Sequence, residues 1–106
     1  MAEGTAFNVG WQVGHNTIRR GVMADPDNPL PTEDEMQAME RLVAGALDAG
    51  AIGLSFGLEF LPGRMAGAEE LQRLCAVAAQ KKTMTSWHVR NRDRRFEESV
   101  DEAISV

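Results

Sequence analysis

Large apolar residues alternate with polar or small ones over Phe7-Asn8-Val9-Gly10-Trp11-Gln12-Val13-Gly14. That period of two predicts a strand over about 7–14. The same alternation returns over Ala51–Leu58, with Ile52, Leu54, Phe56 and Leu58 on one side and Gly53, Ser55 and Gly57 on the other. A third β-rich run, Thr83–Val89, places Met84, Ser86 and His88 on one face and Thr85, Trp87 and Val89 on the other. Between these runs the period shifts to that of a helix. Met36, Met39, Leu42, Val43, Ala46 and Leu47 predict a helix over about 32–49. Thr32 and Glu35 form a capping box at its start, and Gly50 is placed to end it in the left-handed conformation. Leu71, Leu74, Cys75 and Ala78 predict a helix over about 68–81. Phe96, Val100, Ala103 and Ile104 predict a last one over about 96–105. Asn16 or Thr17 is placed to cap a short turn through Ile18–Val22. Pro26, Pro29 and Pro31 mark a loop before Thr32.

The order strand, helix, strand, helix, strand, helix implies an α/β fold with right-handed crossovers and parallel strands. Sites in such sheets gather at the carboxyl ends of strands. Three loops fall on that edge: Gly14–Thr17, Gly57–Phe60 and His88–Asn91. Both histidines of the chain, His15 and His88, lie there. His88 ends a strand face that would point into a sheet or barrel interior. It reads either as a metal ligand through neutral imidazole or as a hydrogen-bonded loop residue. His15 is separated from it by the middle strand, about 10 Å away. Zinc ligands must each approach to about 2.0–2.1 Å. His15 is therefore read as a group behind the ligands, a substrate contact or a structural hydrogen bonder.

Composition narrows the classes. The 106 residues carry 11 basic and 16 acidic side chains, a net charge of −5. That excludes a nucleic-acid footprint, which needs a basic face. The length bounds the chain to one small domain. One cysteine, Cys75, excludes an internal disulfide, and its place on a helical apolar face reads as a structural buried thiol. No apolar run approaches the roughly 20 residues of a spanning helix, and no secretory leader pattern is present. The expected setting is cytoplasmic, without a membrane.

Several short stretches together resemble one family, the N-acyl-D-amino-acid deacylases (D-aminoacylases) of the amidohydrolase superfamily. They are Asn8-Val9 with Val13-Gly14-His15, Thr17-Ile18-Arg19, Val22-Met23, and Gly50-Ala51-Ile52-Gly53-Leu54-Ser55 with Gly57-Leu58-Glu59. Pro62-Gly63, Glu69-Glu70-Leu71 and His88-Val89-Arg90-Asn91 complete the set. The resemblance implies part of a (β/α)8 TIM-type barrel, with these strands near the third, fourth and fifth. It implies zinc as the cofactor of the parent family, with His88 as a ligand. It also places Phe60 near the substrate, and His15, Arg90 and Asn91 are expected as further substrate contacts on the same edge. Phe60 stands where the family commonly has tyrosine, and Phe56 where a smaller residue is usual. A whole barrel takes about 250 residues, so three units form a partial domain over 1–106.

The expected function is that of a fragment of a zinc-dependent amide hydrolase. The parent reaction cleaves N-acyl-D-amino acids to a carboxylate and a D-amino acid. No catalytic residue is assigned within the fragment, which is expected to be inactive alone and able to fold without the metal of the parent family. The alternative is a non-enzymatic α/β module that binds a partner or itself. Exposed sheet edges favour a dimer or higher oligomer.

Overall fold

The computed structural model describes Gly4 and residues 7–106. The strands are β1 (Gln12–Gly14), β2 (Gly53–Gly57) and β3 (Met84–His88). The helices are α1 (His15–Val22), α2 (Glu33–Asp48), α3 (Ala68–Gln80) and α4 (Phe96–Ser105), with a 3-10 turn at Gly63–Met65. The three strands form one parallel sheet in the order β1-β2-β3. The chain is an α/β fold of consecutive strand–helix units.

β1 is shorter than the alternation predicts. Gln12 pairs with Gly53, and Ile52 N–H reaches Trp11 O at 2.8 Å. Just before that point the neighbouring segment is still the turn that ends α2, so the described ladder between β1 and β2 starts only at Gln12. Phe7, Val9 and Trp11 are left exposed. Ile52 precedes the β2 ladder for the same reason. It is half exposed rather than buried with Leu54, Phe56 and Leu58.

Both signals at the ends of α2 act as the sequence suggests. Glu35 N–H donates to Thr32 Oγ1 at 3.2 Å, and Thr32 N–H donates to Glu35 Oε2 at 2.8 Å. Gly50 takes φ of 109°, which costs a residue without Cβ little. Met36, Met39, Val43 and Leu47 of α2 lie in one buried cluster with Leu54, Phe56 and Leu58 and with Leu71, Leu74 and Ala78 of α3, the helix α2 packs against. Leu42 is the exception on the predicted face and is about half exposed. Arg73 of α3 clasps Glu33 and Glu40 of α2, and its hydrogen bond holds the Glu33 carboxyl down at about 2. Cys75 is half-buried against the core, and burial pushes its thiol up to about 11, so it is inert as a nucleophile near neutrality.

α4 departs most from its predicted face. Phe96 and Ile104 are exposed, and Ser99 is the buried residue. Polar tethers hold this helix instead. Ser99 Oγ accepts from the Asn91 backbone at 3.0 Å, and Glu102 pairs with Arg90 at 2.8 Å. Among the described residues, no helix is long and apolar enough to cross a membrane.

Candidate functional site

The carboxyl edge of the sheet brings the loop after β2 against the end of β3. Gly57 pairs with His88, and Leu58 N–H donates to His88 O at 3.0 Å, so the next residue, Glu59, is delivered to the histidine. His88 Nε2 hydrogen-bonds Glu59 Oε2. Arg92 Nε donates to the same oxygen at 3.1 Å. The bond from His88 is the main cause that holds the Glu59 carboxyl below the usual carboxylate range. Desolvation opposes it, and the Arg92 charge assists. Glu59 is therefore an anion at neutral pH, and the bond makes Nε2 the donor. The Phe60 ring lies 4.9 Å from the imidazole, tilted by 52°, and is about half exposed. An open cleft of about 500 Å³ over this edge is lined by Glu59, Arg64, Arg90, Asn91, Arg92 and Asp93.

The remaining predicted site residues have other engagements. Arg90 spends its guanidinium on Glu102, on Ala66 O at 2.9 Å and on Arg64 O. It ties the loop after β3 to the 3-10 turn and to α4. Asn91 binds Ser99 through its backbone and its side-chain amide. His15 has no exposed surface. It lies on the helix-covered face, 5.1 Å from the Phe56 ring, whereas His88 stands on the opposite face with Ser86. Its Nε2 donates to Glu70 Oε1 at 2.7 Å, and its Nδ1 is buried without a partner among the described residues.

Glu70 belongs to a second cluster that sequence reading missed. It pairs with Arg19 in a two-pronged geometry, at 2.8 Å through Nε and 3.0 Å through Nη2. Arg19 also donates to the carbonyls of Pro26, Pro62 and Asn28. All five of its N–H groups are thereby occupied. Burial pushes the Glu70 carboxyl up, but the bonds from His15 and Arg19 outweigh it and leave the group below its ordinary value. The available signal was the spacing of His15 and Arg19, four apart on one face of a short helix.

A zinc site needs about three protein ligands. His88 and Glu59 are two donors, and among the described residues no three of His, Cys, Asp or Glu converge on one point. The donor set present does not complete a zinc site.

No protein-family model matches the chain. It is 41% identical over 99% of its length to an N-acyl-D-glutamate deacylase of Alcaligenes xylosoxydans xylosoxydans, of which it covers 21%. The solved N-acyl-D-glutamate deacylase of Bordetella bronchiseptica superposes with a TM-score of 0.95 and 39% identity, over 98% of this chain and 22% of that one. The chain is homologous to one segment of the D-aminoacylases. The Bordetella deacylase was solved with zinc and a phosphonate that mimics the tetrahedral intermediate. A solved D-aminoacylase that defines a subset of the amidohydrolases matches with a TM-score of 0.93 and 33% identity, again over 98% of this chain and 22% of that chain. The parallel three-strand sheet is consistent with part of the TIM-like barrel of these amidohydrolases. The chain spans about a fifth of the length of the curated relatives it matches.

Proposed function

We propose that these 106 residues form a barrel segment of a zinc-dependent amide hydrolase that cleaves N-acyl-D-amino acids to a carboxylate and a D-amino acid. The supporting observation is the 41% identity to an N-acyl-D-glutamate deacylase spread over 99% of the chain. In this reading His88 supplies one metal ligand at the carboxyl edge. Glu59 orients its ring, as carboxylates do for ligating histidines. The missing ligands come from segments outside these residues, so no step of the hydrolysis is assigned to this chain alone. Phe60 presents an apolar wall beside His88 where substrate would lie. Arg90 and Asn91 shape the cleft by holding the 3-10 turn and α4. His15 acts as a structural hydrogen bonder behind it. The purified 106-residue chain, supplied with zinc and N-acyl-D-glutamate, is expected to release no D-glutamate above background. Robust turnover by the chain itself would overturn this assignment.

A second reading, self-association, has its own support. Trp11, Ile52 and Met84 are each about half exposed at the amino ends of neighbouring strands. β1 and β3 each pair on one side only within the described sheet. Such apolar patches and open edges favour pairing with another chain. Light scattering at micromolar concentration is expected to give a dimer or larger species; a clean monomer contradicts it.

A further inference from the structure

We propose that Asn16 is a positioning residue: its carboxamide closes the loop between Gly57 and Gly63 and so sets the Glu59 carboxylate against His88. The sequence makes Asn16 a candidate helix cap. The helix instead begins at His15 with Gly14 as its cap residue, and the Asn16 side chain is free to cross to the end of β2. There Nδ2 donates to Gly57 O at 3.2 Å, and Oδ1 accepts from Gly63 N–H at 2.5 Å. One planar group therefore bridges both ends of the loop that carries Glu59 and Phe60. The fit is tight: a Cβ at Gly63 would lie 2.3 Å from Asn16 Oδ1 and 2.9 Å from Gly57 O.

The rest of α1 reinforces the bridge. Arg20 donates to Leu61 O at 3.0 Å and Arg19 to Pro62 O at 3.2 Å. Leu58 and Pro62 are buried, while Glu59 and Phe60 meet His88. Bridging a carbonyl and an N–H requires one donor and one acceptor on the same side chain, which a carboxamide has and an ionised carboxylate lacks. The use of this placement in amide hydrolysis rests on the reading proposed above; the clamp is a property of this chain and is tested without turnover.

The test is NMR on the 106-residue chain, reading hydrogen exchange at the Gly63 amide and nuclear Overhauser contacts between the Phe60 and His88 rings. Asn16→Ala is expected to speed Gly63 exchange about tenfold, the worth of one strong hydrogen bond. It is also expected to erase the ring contacts while the far-ultraviolet circular dichroism stays unchanged. Thr17→Ala, on the exposed side of the same turn, is expected to move neither. A folded Asn16→Ala chain with Gly63 exchange and ring contacts like the parent overturns the proposal. Should Asn16→Ala fail to fold, Asn16→Asp decides. It keeps the acceptor for Gly63 and loses the donor to Gly57. Weakened ring contacts with Gly63 still protected support the clamp, and undiminished ring contacts overturn it.

Discussion

Replacing Glu70 by alanine is expected to destabilise the chain by about 3–5 kcal/mol, the usual cost of removing one partner of a buried ion pair. Arg19 has no exposed surface and Glu70 is 3% exposed, so the guanidinium would be left as a buried charge without a counter-ion. His15 would lose its only described hydrogen-bond partner at the same time. Since a domain has only about 5–15 kcal/mol in all, most of the folded population is at risk. Urea unfolding followed by tryptophan fluorescence measures it. A loss below about 1 kcal/mol contradicts the role given to the cluster. The pH dependence has a definite sign. The Glu70 carboxyl is lowered in the folded state, so its contribution is fully present above the unfolded value of about 4.3. It is lost as the pH falls from there through the lowered folded value. Glu70→Gln is expected to flatten that part of the acid profile.

Replacing His88 by alanine is expected to leave stability almost unchanged but to abolish function wherever the barrel is complete. His88 is half-buried and its partner Glu59 is reached by solvent, so little packing is lost. In a chimera in which these 106 residues replace the homologous segment of the N-acyl-D-glutamate deacylase, His88→Ala is expected to lower kcat/KM by more than about 100-fold. That exceeds what loss of a supporting group behind a metal ligand costs. Bound zinc, measured by atomic absorption, is expected to fall with it. Glu59→Gln, which keeps an acceptor for His88, is expected to fall within about 10–100-fold.

The parts of this molecule legible from sequence are those decided locally. The capping box at Thr32 and Glu35, the left-handed Gly50 and the alternation through Leu54, Phe56 and Leu58 each depend on neighbours in the chain. The carboxyl-edge position of His88 followed from strand order alone. The misreadings come from partners distant in sequence. Residues 7–10 alternate like a strand, but β2 starts too late to pair with them. α4 has an apolar stripe, yet Arg90 and Asn91 orient it through Glu102 and Ser99. Asn16 reads as a cap in the sequence because its partners in the fold, Gly57 and Gly63, lie more than 40 residues away. Arg19 and Glu70 stand in two of the stretches that carry the family resemblance, but nothing in either stretch shows that they meet, and only folding makes them one buried pair.

The most direct measurement of the central claim is turnover by that chimera on N-acyl-D-glutamate. Release of D-glutamate with zinc bound, and loss of both on His88→Ala, is the expected result. A folded, zinc-loaded chimera without turnover, or one indifferent to His88→Ala, would contradict it.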